Sequence, residues 1–404
     1  MESISQYLLV SLPQSANAFP FLERQLQQGK QPLSEFKLPD FHIRTLDSLV
    51  QISEELAKLD TSIASSVSKV ADVIDNVEQK KLSRDSRLVN GKPVASFIEN
   101  FSWNTSKYRL DKSIKDLVDI ISNDALSLDN DVRQTYQQYQ TAKSNFLAAD
   151  RKKNGDLSIK SLHEIVRPEQ FVLDSDHLTT VLIAVPKSLV GDFQKSYESL
   201  TEFVIPRSAQ MIAKDEEYEL YTVALFKKYQ QEFINASREH KWHPRTDFVY
   251  SEENMNKMRK EFDVSKATEL KTKNDLTRLA KTAYSDIFSD WFHIKAIRVY
   301  VESVLRYGLP PQFDSFAIKF ESSSNADKAK KELIAKFGYL GGDGFSEKSN
   351  LHEYASLVDS EYEPFVLYRV DIVWAGLFGP YESELATLKS NSAIKMLLYQ
   401  QFYT

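Results

Sequence analysis

The chain has 404 residues, 42% apolar and 12% aromatic, enough for real cores in roughly two or three domains; this excludes a disordered protein. A net charge of −6 with interspersed signs argues against nucleic acid as a partner, since such binders carry a dominant basic stripe. The lack of cysteine excludes disulfides, thiolate metal sites and thiol nucleophiles, and only 11 glycines and 13 prolines interrupt the chain, which favours long elements.

In chain order, the N-terminal MESISQYLLVSLPQ has no basic region and only a short apolar run, so it reads as a strand and not as a signal peptide. Next comes a heptad segment. Leu49, Leu56, Ile63, Val70 and Val77 recur every seven residues, with Ile52, Leu59 and Val73 in the second row and Ser66 interrupting it. A second heptad segment has Ile114, Ile121, Leu128, Thr135, Ala142 and Ala149 in one row and Val118, Ala125, Val132, Tyr139 and Phe146 in the other. Unbroken, Ile114 to Ala149 would span about 54 Å. It ends at Arg151-Lys152-Lys153-Asn154-Gly155, where cations suit the negative helix terminus and Asn-Gly stops it.

Two strand-like runs follow, LTTVLIAVP (178–186) and YELYTVALF (218–226), each leading into a helical pattern, SYESLTEF and KKYQQEFINASREHK. A third long helix carries Leu276, Ala280, Ala283, Ile287, Ile294, Ile297, Val301 and Val304 and starts upstream near Met255. It ends at Tyr307-Gly308-Leu309-Pro310-Pro311. The strands FAIKF (316–320) and PFVLYRV (364–370) then need a partner, because short strands are unstable alone, and the N-terminal YLLVSL can supply it.

The expected fold class is therefore α+β and helix-rich: an elongated dumbbell with long coiled-coil-like helices linking an α/β head and an α/β foot. Residues 1–110 would form the N-terminal part of the foot and the first long helix, 111–156 a neck helix, and 157–250 the head. Residues 251–308 would form the returning helix, 309–370 the rest of the foot, and 371–404 a tail. No run of about 18 apolar residues is present, so no membrane span is expected.

Chemistry is sparse. Trp291 to Pro311 concentrates His293, Lys295, Arg298, Tyr300, Glu302 and Arg306, but the three- and four-residue spacing of Lys295, Arg298, Glu302 and Arg306 puts them on one helical face. That reads as a charged ladder on a solvated or inter-helix face. His293 has only Asp290 at ligand spacing, and His240 and His243 flank Trp242 without a local acid; neither pair makes a metal site. There is no GxGxxG, GxxxxGK[ST] or GxSxG, and GYLGGDGF (338–345) reads as a mobile loop. Catalytic residues, metal ligands and cofactors are expected to be none. Aromatic residues outside the heptads, Phe226, Tyr229, Trp242 and Tyr250, are the candidate partner contacts, although core packing explains single aromatics as well.

The runs WFHIKAIRVYVESVLRYGLPP, LDKSIKDLVDIIS (110–122), HLTTVLIAVPKSL (177–189) and EYEPFVLY (361–368) closely resemble the C subunit of the vacuolar-type proton ATPase (V-ATPase) in its fungal form, in order and spacing up to Tyr368. The resemblance implies a non-catalytic stator component on the cytosolic face of the vacuolar membrane. It also implies that the head and foot bind stalks made of the E and G subunits, that the foot meets the cytosolic domain of the a subunit, and that the protein is released on reversible disassembly. Binding to actin filaments is implied too. The residues after Tyr368 depart from the family, which ends near there. The competing reading is a cytoskeletal or vesicle-tethering rod.

Overall fold

The computed structural model describes residues 5–28, 33–43, 45–78, 87–173, 175–341 and 363–372. The chain is mixed helix and strand and divides into two units, residues 1–136 with 275–404 and residues 137–274.

In the first unit, β1 (Ser5–Pro13) lies between β10 (Val366–Ile372) and β9 (Phe313–Phe320), and β2 (Leu33–Glu35) pairs with the far side of β9. All pairings are antiparallel, with Leu8 opposite both Ile318 and Arg369. The termini thus share one sheet, as the unpaired strands required. The apolar run Tyr7–Val10 is continuous because both faces of β1 are covered. Leu8, Val10 and Leu12 pack with Phe316, Ile318 and Phe320 against Leu22 of α1 (Phe19–Gln28) and Leu333 and Phe337 of α8 (Ser323–Phe337). On the other register Ser11 accepts a hydrogen bond from Ser303 at 2.7 Å and, through its carbonyl, one from Tyr307 at 2.8 Å.

The heptad segments form α2 (Leu46–Glu78) and α4 (Ile114–Asn154). In α2 both rows are buried except Leu59, and Ser66, the apparent interruption, is buried with them. The third helix, α7, runs Glu252–Tyr307 and stops where Gly308 adopts φ +85°, a conformation that costs glycine nothing. Between α2 and α4, an Asn90-Gly91 turn with both residues at positive φ joins β3 (Leu88–Val89) to β4 (Lys92–Pro93), ahead of α3 (Val94–Glu99).

The charged run on α7 is an inter-helix face, but its pairing is not the expected ladder. Asp60 of α2, 6% exposed, accepts from Trp291 Nε1 at 2.7 Å, Lys295 Nζ at 3.1 Å and Arg298 NH1 at 2.6 Å. Lys295 also lies 4.6 Å from the centre of the Trp291 ring, and Arg298 stacks 4.3 Å over Tyr368 of β10. Burial pushes the Asp60 carboxyl upward, but the two cations outweigh it and hold it below the usual carboxylate range. Only Glu302 and Arg306 make the i,i+4 pair, at 3.0 Å.

His293 is buried among Phe101, Trp103 and Tyr108, with ring centroids 4.9–5.2 Å away. Its Nε2 accepts from the Asn104 N–H at 3.1 Å, and Nδ1 lies 2.7 Å from the Ser289 carbonyl, so Nδ1 carries the proton. Burial lowers its pKa to about 4 despite the Ser289 bond. One turn away, Asp290 accepts from Tyr108 at 2.5 Å and from Lys107 at 3.0 Å, and Lys107 also pairs with Asp124 of α4 at 2.6 Å. Burial raises the Asp290 carboxyl to about 6 against the pull of Tyr108 and Lys107. Asp286, in the same cluster, is also raised, by burial first.

In the second unit the sheet order is β6 (Gln210–Lys214), β7 (Tyr218–Phe226), β5 (Leu178–Pro186), β8 (His243–Pro244), again wholly antiparallel. Val181, Ile183 and Val185 face Phe193 of α5 (Val190–Ser196) and Phe233 of α6 (Gln230–Glu239). Leu182 and Ala184 face Leu157, Leu162 and Phe248. Burial on both faces again explains an apolar run without alternation. Within this unit α4 and α7 lie against each other: Phe146 meets Phe262 at 5.8 Å, and Lys152 pairs with Glu261 at 2.7 Å. Of the expected loop 338–345, Gly338–Gly341 forms a 3-10 turn, and the rest of it, like the tail from residue 373, lies outside the described residues.

Replacing Asp60 by Ala leaves the buried Lys295 and the half-buried Arg298 without their carboxylate and is expected to cost about 3–5 kcal/mol in urea unfolding, with a smaller loss when Lys295→Met is added. A cycle with no coupling would contradict the pairing.

The His293 and Asp290 shifts act in opposite directions. His293, depressed, contributes stability that is present above its unfolded pKa near 6.5 and lost as pH falls toward 4. Asp290, raised, contributes stability that is present below 3.8 and lost as pH rises through about 6. Relative to the parent, Asp290→Asn should therefore gain stability as pH rises from about 4 to 6, and His293→Gln should lose it, each by roughly 2–3 kcal/mol across the range. Urea midpoints across that range measure both slopes.

Candidate partner-binding surface

The candidate contacts separate once the second unit is folded. Phe226 ends β7 at 36% exposure, and the short turn Lys227–Tyr229 leads from it into α6. Phe203, 55% exposed, sits at φ +60°, a conformation that an aromatic residue adopts only under constraint. The constraint is visible. Val204 bridges Leu225, Ile205 N–H donates to Ala224 O at 3.0 Å, and Phe226 N–H donates to Phe203 O at 3.3 Å. These bonds hold Phe203 beside Phe226 (5.6 Å, 68° between planes) and stacked on Tyr229 (5.0 Å, 27°).

Cations frame the three rings. Lys228 Nζ lies 5.4 Å from the Tyr229 ring centre, and Lys227 Nζ donates to Ser175 O at 2.5 Å. Together with Asp176 and His177 these residues line a shallow groove. Rigid, solvent-facing aromatics with adjacent cations are what partner surfaces use, since rings contribute large area for little lost side-chain freedom.

Two predicted contacts fall elsewhere. Trp242 is 2% exposed and belongs to the core, set edge-on to Phe193 at 5.0 Å with His240 stacked on its outer face at 5.1 Å. It therefore does not present its ring to a partner. Tyr250 is half-buried, stacks on Phe171 at 5.1 Å, and lines a second groove that shares Lys227 and Lys228 with the first. Phe203 escaped sequence reasoning because TEF continues a helical pattern on paper, whereas the helix ends at Ser196 and a 3-10 turn closes at Ser199. The Ile205-Pro206 step that follows was the available signal.

His243 packs edge-on to Tyr218 at 5.5 Å, so the two histidines beside Trp242 are engaged with rings. Among the described residues no group of three or more His, Cys, Asp or Glu could hold a metal ion, and no helix is long and apolar enough to cross a membrane.

These features define a helix-rich α+β protein with a solvent-facing aromatic surface on one of its two units. The family model described as the V-ATPase C subunit matches residues 7–366, and the chain belongs to that family. It is 49% identical to the V-type proton ATPase C subunit of Saccharomyces cerevisiae over 386 residues, covering 91% of this chain and 98% of that one. It is 36% identical to the V-type proton ATPase C 1-B subunit of Danio rerio, covering 84% and 89%. The solved cytoplasmic N-terminal domain of the I subunit, a homolog of the a subunit of V-ATPase, aligns with a TM-score of 0.33 at 11% identity over 81% of this chain and 97% of that one, too distant a likeness to bear on fold or partner.

Truncating Trp242 to Ala should cost about 3–5 kcal/mol of stability, as for a large core aromatic, while Phe226→Ala should cost about 1 kcal/mol. Equal losses in thermal or urea unfolding would contradict the separation of surface from core.

Proposed function

We propose that the chain is a non-catalytic stator component of a vacuolar-type proton pump, which braces peripheral stalks of the E and G subunits and contacts the cytosolic domain of the a subunit. Membership of the V-ATPase C family supports assembly into such a complex. The observation that carries the binding role is the exposed Phe203–Phe226–Tyr229 cluster with Lys227 and Lys228 beside it. This cluster is the surface that takes an E/G stalk, and the first unit contributes the contacts to a second stalk and to the a subunit. The dumbbell expected from the sequence, with head and foot divided near residues 157 and 250, is part of the same reading.

The chemistry of such a component is mechanical. Two moderate contacts made by one chain reinforce each other when both are engaged, because the second forms at high effective concentration. Each can still be broken in turn, which suits release on reversible disassembly and placement at the cytosolic face of the membrane. Actin filaments, which the resemblance also implied, would compete for the released protein.

Titrating the purified chain with an E/G heterodimer tests this. A complex should form at micromolar concentration, and replacing Phe203, Phe226 and Tyr229 together by Ala should weaken it by about tenfold or more. Absence of any complex between folded proteins would reject the proposal.

A further inference from the structure

The second groove on the same unit has a floor of unusual character. β8 pairs with β5 only at Ile183↔Pro244 and Ala184↔His243, and Arg245 N–H closes the pairing on Leu182 O at 2.8 Å. The chain is then drawn away from the sheet, because the Arg245 guanidinium is tied to Leu157 O and Lys160 O, both at 2.8 Å, and to Asp247. Among the described residues, no strand pairs with Leu178–Val181 on that side.

Strand geometry settles which backbone groups face the opening. Leu182 O points toward β8, and His177 O accepts from Lys227 on the β7 side, at 2.8 Å. Directions alternate along a strand, so Thr180 N–H and C=O point into the groove while Thr179 and Val181 bond to β7. The Thr180 hydroxyl accepts Val172 N–H at 2.9 Å, which sets the Phe171–Leu173 segment at the rim.

Free strand edges are normally blunted by a bulge, a lysine or a proline. The opposite edge of this sheet follows that rule: β6 has a register shift between Met211 and Ala213 and ends in Lys214. The Leu178-Thr179-Thr180-Val181 edge has no such guard. Apolar surface lies beside it, with Leu173 46% and Val249 69% exposed. Lys227, Lys228 and Arg245 line the groove, and no Asp or Glu is among its described lining residues.

We propose that the open half of β5, set between exposed apolar residues and the Lys227–Lys228 pair, docks an extended acidic segment of a partner chain, which joins the sheet as a further strand. Main-chain bonds to Thr180 supply the anchoring, alternate apolar side chains contact Leu173 and Val249, and alternate carboxylates meet the lysines. This deepens the reading of the unit as a partner-binding one and rests on it.

The probe is a fluorescein-labelled, end-blocked decapeptide of alternating Glu and Val, titrated with the full chain and followed by anisotropy. Saturable binding is expected. It should weaken by about tenfold or more when alternate peptide amides are N-methylated, when Glu is replaced by Lys, and in the Lys227→Glu/Lys228→Glu variant with unchanged melting. Thr180→Pro removes the outward N–H, together with the hydroxyl that holds Val172, while the β7 bonds of Thr179 and Val181 stay, and should act likewise; the N-methylated peptide asks the same question of the unaltered protein. Absence of binding, or equal binding of the N-methylated or lysine peptide, overturns the inference. E/G complex formation by the parent chain is scored separately and decides only the underlying reading of the unit.

Discussion

One carboxylate sets the geometry of the first unit. Asp60 sits inside a heptad-patterned helix, where an apolar residue would pack more cheaply, and collects Trp291, Lys295 and Arg298, four and three residues apart on one face of α7. Apolar ridges tolerate sliding by a turn, because one leucine packs much like the next. A buried charge is less tolerant, because separating Asp60 from Lys295 leaves both unpaired in a low-dielectric interior. Arg298 then extends the constraint to the sheet by covering Tyr368 of β10. The same cluster thus ties α2 to α7 and α7 to the terminal strands.

The buried groups around His293 work by opposition. A neutral imidazole enclosed by aromatic rings resists protonation, while a carboxyl one turn away resists ionisation, and Lys107 leans on both. This arrangement lets the segment after α3 close over α7 with polar side chains inside. The concentration of ionisable residues that makes this stretch resemble an active site is thus explained by packing, each group having a structural partner.

In the second unit, the sheet decides which side chains can face solvent. Its middle strands are buried on both faces along most of their length, so solvent-facing side chains are confined to strand ends, turns and edges. That is where Phe203, Phe226 and Tyr229 meet, at the end of β7 and the turn that follows it. The strained backbone at Phe203 is held by the two main-chain hydrogen bonds of the Val204–Leu225 bridge, which fix the position of its ring.

Much of this was legible in the residues. The heptad rows located α2, α4 and most of α7 because burial along a helix repeats with the helix's own period; Tyr307-Gly308 marked an end because only glycine turns there cheaply; and the runs 178–186 and 218–226 matched their strands to the residue. The short strands β2, β6 and β8 left no signal, since so few residues carry no period. Spacing along one helix could pair Glu302 with Arg306 but could not reveal that Lys295 and Arg298 answer to Asp60, more than two hundred residues away in sequence. Nor could it tell Trp242, which fills a core, from Phe226, which faces solvent, because an aromatic ring favours both settings. Local periodicity and chain-breaking residues are properties of neighbours in sequence and can be read there, whereas charge partners and exposure depend on what folding brings across from elsewhere, and only the tertiary structure decides them.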